Sequence, residues 1–304
     1  MDICKLDDYT LPVGESHVTA LGNFDGVHIA HTALLEKTVE EARKSGAIPA
    51  VFTFSKHSRE VLDGGSPMLI TAGDEKLELF ENAGIKRVFV ADFESVRSLS
   101  PENFVRDILI KKLGVLTAVC GYNFRFGAGG AGTADDLHRF MNGRAVVIPP
   151  VNSGDSPVSS TRIRKAVEAG DMELAKDLLG RPFFICFPVL HGKELGRSIG
   201  VPTINQSFPP LHLVPARGVY ACLVRVGDND YRGVANVGVR PTVENSGNVN
   251  CETHIIGYSG SLYGQNIKVS FYKKLRDEKR FDSVEHLCDQ IKLDIEAVNN
   301  YFGV

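Results

Sequence analysis

The first half of the chain alternates short apolar, β-branched runs with stretches whose apolar residues recur every three or four positions. No other feature limits the possible folds as much. The runs are His17 to Gly22, Ile48 to Phe54, Arg87 to Asp92, Leu116 to Gly121 and Ala145 to Pro149, each brief and bounded by turn residues. Between them, a helix from about His31 to Lys44 places Leu34, Leu35, Val39 and Ala42 on one side. A second helix is predicted from Pro101 to Leu113. Ser100 can cap it, Phe104, Ile108 and Leu109 share a face, and Lys111 and Lys112 oppose the helix dipole before Gly114. Strands that are apolar almost throughout are buried on both faces, so the alternation predicts a parallel sheet covered by helices. The expected first domain is a doubly wound, Rossmann-like α/β fold.

Two further short helices, Thr161 to Ala169 and Met172 to Leu179, precede Gly180, Arg181 and Pro182, where the texture changes. The boundary is read there, giving domains 1–180 and 181–304, in line with a typical domain of ~150 residues. Beyond it come short strands with frequent turns: Phe184 to Leu190, Gly218 to Val226, Tyr231 to Val237, Glu252 to Ile256 and Ile267 to Tyr272. These predict a small antiparallel β-barrel. Val284, Leu287, Cys288, Ile291, Ile295 and Val298 then recur at helical spacing, opened by Asp282 with Glu285 in a capping-box arrangement. That last helix is expected to pack on the barrel.

Lys and Arg number 34 against 37 Asp and Glu, a net charge of −3, so no whole-protein field exists to collect nucleic acid or an anionic membrane. Any recognition of phosphate must be local. The six cysteines are scattered with no metal-ligand spacing and read as single thiols. No apolar run reaches the ~18 residues that span a bilayer, and the start carries Asp2, Asp7 and Asp8 rather than a basic segment. A cytoplasmic location without membrane or nucleic-acid partners is the expectation.

Directly after the first strand the chain reads Gly22, Asn23, Phe24, Asp25, Gly26, Val27, His28, Ile29, Ala30, His31, and a helix follows. A helix N-terminus presents unpaired N–H groups and partial positive charge, which suits a polyphosphate. His28 and His31, three apart, aim from one side of the first turn. Taken alone, a pair of surface histidines would explain them as well. The stretch resembles the HxGH signature of nucleotidyltransferases in its FAD synthetase form, GxFDGxHxGH, with Ala30 in place of a glycine. Gly121 to Gly127, reading GYNFRFG, resembles a later segment of the same family, and Ser159 to Arg164, reading SSTRIR, its SSTxIR motif. The resemblance implies that Gly22, Phe24, Asp25, Gly26, Ser160, Thr161 and Arg164 bind ATP, that His28 and His31 are catalytic, and that Asn123 and Phe126 bind flavin. A turn and a Ser/Thr helix cap are the plain alternatives for the two later segments. A weaker echo, Phe54 to Ser58, lacks both prolines of the family's FxPHP, and His57 is assigned no role.

The second half carries Gly192 to Asn205, reading GKELGRSIGVPTIN, which is no Walker loop because no GK[ST] ends it. It resembles the GxxxGRxxGxPTAN loop of riboflavin kinases, with Ile204 replacing the alanine. Further family pieces follow in order: Gly218 to Tyr220, Gly233 to Gly238 with Pro241 and Thr242, Glu252 to His254, Leu262 to Gly264, then Leu275, Arg276, Glu278 and Phe281. The likeness implies that Gly192, Gly196, Arg197, Gly200, Thr203 and Asn205 hold ATP, with Thr203 and Asn205 on Mg²⁺. It makes Glu252 the catalytic base and puts Arg276 and Phe281 near the flavin.

Together the two halves resemble the prokaryotic bifunctional riboflavin kinase/FMN adenylyltransferase family over nearly the whole chain. What this implies is ATP-dependent conversion of riboflavin to FMN and of FMN to FAD, by a monomer or weak homo-oligomer. Retention of only one activity, a flavin or nucleotide sensor without turnover, and a pantetheine-phosphate type adenylyltransferase remain as alternatives. The last leaves the barrel motifs unexplained. A DNA-binding regulator would need a basic recognition helix that the sequence lacks.

Overall fold

The computed structural model describes residues 1–55, 67–71, 73–192, 200–239 and 249–303, and they form two compact units, Met1–Ser160 and Thr161–Val304.

The first unit is built on a six-stranded, all-parallel sheet of β1 (Asp2–Lys5), β2 (His17–Leu21), β3 (Ile48–Phe54), β4 (Arg87–Ala91), β5 (Val115–Gly121) and β6 (Ala145–Ile148), in the order β1-β4-β3-β2-β5-β6. The expected doubly wound arrangement is present, and the chain reverses direction across the sheet between β2 and β5. β2 is buried along its whole length, as an apolar strand at the centre of a two-sided sheet must be. Two cores flank the sheet. One joins Phe52, Phe89, Phe104, Leu109 and Leu137; the other joins Val18, Phe24, Leu35, Val51 and Phe80. Helices α1 (Ile29–Ser45), α2 (Asp74–Asn82) and α3 (Ala134–Phe140) belong to this unit, α3 starting at a full capping box between Thr133 and Asp136.

Ser100 caps the predicted second helix as expected, its Oγ accepting the Asn103 N–H at 3.2 Å. After Pro101–Asn103, however, the segment Phe104–Lys112 is a π-helix, and the Leu113 N–H reaches back five residues to Ile108 O. The wider turn still buries Phe104, Val105 and Leu109, so spacing alone did not separate the two helix types.

At the N-terminal ends of the strands His17 is fully buried, with Nδ1 2.6 Å from Leu113 O and Nε2 3.0 Å from Arg87 Nη1. Arg87 also donates to Glu15, Asp2 and Tyr9. Burial pulls the His17 imidazole below its ordinary value; the Leu113 carbonyl opposes this and the Arg87 charge adds to it. The folded state therefore takes up this proton less readily than the unfolded chain, whose histidine titrates near pH ~6.5. Stability from this group is complete above that pH and is lost as pH falls through the lower folded value. Melting temperature should fall as pH drops below about 6.5, and His17→Gln, which cannot take up a proton there, should flatten the profile. An equal slope in parent and variant would refute the account.

The second unit opens with α4 (Ser160–Ala169), whose first residue belongs to the first unit, and α5 (Met172–Leu179), which is capped by Asp171. A two-residue hairpin, β7 (Asn152–Ser153) with β8 (Ser156–Pro157), precedes them in the first unit. Six antiparallel strands follow: β9 (Phe183–Pro188), β10 (Thr203–Ser207), β11 (Gly218–Val226), β12 (Asn229–Val239), β13 (Val249–Ile255) and β14 (Asn266–Arg276), in the order β10-β13-β12-β11-β14-β9. The sheet curls until its edges meet. Leu190 N–H bonds Asn205 O at 2.8 Å, and the buried Gln206 amide donates to Phe187 O and Ile267 O at 2.7 Å each. Gly218 permits a close approach at the start of β11, beside a register shift against β14: at φ 148°, a Cβ there would lie 2.5 Å from Arg276 O.

Helix α6 (Val284–Phe302) lays Val298 against Val219, Ala221 and Val234, which puts it on the barrel as expected. Its cap needs correction. Ser283, not Asp282, is the N-cap, and its hydroxyl accepts the His286 N–H at 3.2 Å. A hydroxyl one residue nearer the first turn reaches that donor, so Glu285 is not needed for a capping box.

Candidate functional sites

In the first unit the turn from Gly22 to Val27 leaves the C-terminal end of β2 and delivers the chain into α1. Its backbone is unusual. Phe24 and Val27 adopt φ 53° and 37°, and Gly26 adopts 85°, where a Cβ would press on Ile70 at 3.1 Å. L-residues in this region are costly, so the surroundings must hold the turn. They do so with polar bonds: Asp25 Oδ1 accepts the N–H groups of Ile70 and Thr71 at 2.9 and 3.4 Å, and Gly26 N–H donates to Thr71 Oγ1 at 3.1 Å. Ser160 Oγ donates to Asp25 O at 2.9 Å. Asp25 and Ser160, two of the predicted ATP ligands, thus also brace the turn, as does Phe24, which is fully buried against Phe80.

His28 is the N-cap of α1, and its Nδ1 accepts the His31 N–H at 3.3 Å. The two imidazoles stack at 3.7 Å and 13°, with His31 resting on Phe24 at 5.1 Å. The predicted pair is brought together at a helix N-terminus at the C-terminal edge of a parallel sheet, beside the point where the strand order reverses, the usual ligand crevice of such folds. Ala30 lies inside the helix with an ordinary backbone, so that position does not demand glycine. Thr161 and Arg164 follow on α4, inside the second unit.

After β5, Asn123 is exposed, whereas Phe126 is 6% exposed and packs on Phe104 and Phe124. Phe126 therefore serves the core of the loop, and Tyr122, 46% exposed, is the accessible aromatic ring beside Asn123.

In the second unit strand alternation sorts the motif. On β10, Gln206 is buried toward the barrel interior, so Ile204 shares that side while Thr203 and Asn205 lie on the outer face. The larger Ile204 side chain is thus on the far side of the sheet from the threonine and asparagine. Glu252 and His254 lie on the outer face of β13, with Cys251 and Thr253 buried inside. The register sets Asn205 opposite Glu252 and Glu252 opposite Asn236, with Thr203, His254 and Val234 forming the next row. Directly opposed residues have Cβ atoms ~5 Å apart. A cavity of about 260 Å³ opens over these rows, closed by the segment from Arg276 to Phe281 and by Leu287, Ile291 and Asp294 of α6. Thr203, Glu252, Arg276 and Phe281 all line it.

Arg276 is held rather than loose. It makes a two-pronged ion pair with Asp294 at 2.9 and 2.7 Å, and Gln290 donates to the same carboxylate at 3.0 Å. Sequence reasoning gave no role to Asn236, His254 or Asp294. The period of two shared with Glu252 marks His254, and a carboxylate within the apolar stripe of α6 marks Asp294. Gly192 and Gly200 flank the remainder of the glycine-rich loop; Gly196 and Arg197, like His57, Pro241 and Thr242, lie outside the described residues.

Comparison with known proteins follows the same division. The riboflavin kinase family model matches residues 179–302, and the FAD synthetase family model matches residues 12–162. A bifunctional riboflavin kinase/FMN adenylyltransferase of Bacillus subtilis is 36% identical over 94% of this chain and 92% of its own. The like-named protein of Escherichia coli K12 is 37% identical over 95% and 94%. Among solved structures, a macrolide-efflux protein from Streptococcus pneumoniae superposes with a TM-score of 0.89 at 31% identity, covering 99% of both chains.

Proposed function

Because the chain belongs to the bifunctional riboflavin kinase/FMN adenylyltransferase family, we propose that its two halves divide two consecutive reactions between separate ATP sites. The enzyme phosphorylates riboflavin with ATP to give FMN, and joins FMN to the AMP part of a second ATP to give FAD and pyrophosphate. Residues 1–180 carry adenylyl transfer and 181–304 phosphorylation. The bodies of α4 and α5 nonetheless belong to the second unit, where the Ala216 N–H donates to Val167 O at 3.1 Å and a Cβ at Gly170 would press on Lys274. An efflux role is not carried over: among the described residues no helix is long and apolar enough to cross a membrane.

In the kinase half, Glu252 takes the proton of the ribityl hydroxyl as its oxygen attacks the γ-phosphorus of ATP and ADP leaves. In the adenylyltransferase half, an FMN phosphate oxygen attacks the α-phosphorus. That step needs no protein nucleophile. It needs alignment and donors for the charge that develops, which His28, His31 and Arg164 supply, with Gly22, Phe24, Asp25, Gly26, Ser160 and Thr161 shaping the ATP site. Asn123, on a loop that Phe126 anchors to the core, and Arg276 and Phe281 in the other half, form the flavin sides. Gly192, Gly196, Arg197 and Gly200 surround the second ATP. One observation carries the kinase assignment: a single cavity gathers Thr203, Glu252, Arg276 and Phe281 from three separate stretches of sequence.

Mg²⁺ fits this half through its donor chemistry. Thr203 and Asn205 offer neutral oxygens on one strand face beside Glu252, and among the described residues no cluster of three or more His, Cys, Asp or Glu could cage a metal alone. Such a site suits an ion that keeps water and substrate phosphates as ligands. When bound, the ion neutralises phosphate charge. Chelation of divalent ions should therefore abolish both products from riboflavin and ATP, with recovery on adding Mg²⁺. FMN formation undiminished in excess chelator would exclude the metal. All six cysteines are free thiols, in keeping with a reducing, cytoplasmic setting.

A further inference from the structure

We infer that Lys76 is a positioning residue for adenylyl transfer, acting through the Asn23 carbonyl on the turn that carries His28. The inference rests on the assignment of that turn to FAD formation. Lys76 stands half-buried in the first turn of α2, where the helix dipole disfavours a cation. Among the described residues its ammonium makes one hydrogen bond, to Asn23 O at 3.3 Å, and no ion pair. Burial pulls the ammonium below the ordinary lysine value, and the charge of Asp25 opposes that only in part. A cation set against a helix dipole, with one carbonyl as its hydrogen-bond partner, gains little for stability there. Its location explains its presence. Asn23 O also accepts Thr53 Oγ1 at 3.3 Å, so two donors fix the carbonyl just before Phe24 and Gly26 take their left-handed conformations. The orientation of the next peptides, and hence of the His28 cap, depends on that anchor.

The test compares full-length parent, Lys76→Met, Lys76→Arg and His31→Ala proteins. Each is assayed for FAD from added FMN across ATP and FMN concentrations, for FMN from riboflavin, and for melting. Lys76→Met should lower kcat for FAD formation on the order of 10²-fold, the cost of slight misplacement. KM for ATP should stay within about twofold, as when an interaction acts in the transition state. FMN formation should not change. Melting temperature should not fall, since an apolar chain replaces a desolvated cation. Lys76→Arg, which can still donate to Asn23 O, should recover most of the rate. An unchanged kcat, a loss expressed wholly as KM for ATP, or a loss of rate matched by a loss of melting temperature would each overturn the inference. If His31→Ala cripples FAD formation while Lys76→Met does not, Lys76 alone has been misread. If His31→Ala leaves FAD formation intact, the assignment of the turn falls and the inference with it.

Discussion

Replacing His31 with alanine should lower FAD formation from added FMN by about 10²–10³-fold, the usual cost of removing one preorganised donor to developing charge. FMN formation from riboflavin should continue at the parent rate. His31 makes a cleaner test than His28 because of how the turn is built. The bond that caps α1 runs from the His31 backbone N–H to His28 Nδ1, so alanine at 31 keeps the cap and deletes only the imidazole. Alanine at 28 would delete the cap itself, at a cost of ~1 kcal/mol of helix stability, and mix folding with chemistry. The lost ring contacts with Phe24 and His28 are local to this turn. Equal loss of both products would mean that the two halves do not work independently. An unchanged FAD rate would remove the imidazole from the reaction.

Strands that are mostly apolar could be read from the sequence almost to the residue: Ile48–Phe54 and Gly218–Val226 begin and end where expected, as does the helix Met172–Leu179. What escaped was structure held by context. β1 is an edge strand with exposed residues and no apolar run, paired only with β4. β10 reads TINQS, and it is a strand because Asn205 and Gln206 close the barrel through backbone and amide bonds. α2 lies in DEKLELFEN, whose charges suggest a solvated segment, although Phe80 is fully buried.

The candidate sites divide the same way. Motif residues on turns and strand faces, such as His28, His31, Thr203 and Glu252, could be picked out by type and order. Residues defined by what they hold could not. Lys76 is an ordinary helix lysine until the turn brings Asn23 O to it, and Phe126 lies within a flavin-like motif yet is spent on the core.

Glu252→Gln should lower FMN formation by about 10²–10⁴-fold, the range for a positioned general base, and leave FAD formation from added FMN intact. The amide has nearly the shape of the carboxylate, so the outer-face row of Asn205, Glu252 and Asn236 keeps its packing. Cys251 and Thr253, buried on the inner face, keep β13 in register on either side. What changes is the ability to accept a proton from the ribityl hydroxyl at the moment its oxygen meets the γ-phosphorus. Riboflavin and ATP should still bind, because their other contacts are untouched, so the loss should appear in kcat rather than KM. With riboflavin as the starting flavin, FAD should then fall only because its precursor is missing, and adding FMN should restore it. If FAD formation from added FMN also failed while melting was unchanged, Glu252 would be serving both reactions. If FMN formation stayed within about tenfold of the parent, below the least that a positioned base contributes, proton removal in the barrel would belong to another group.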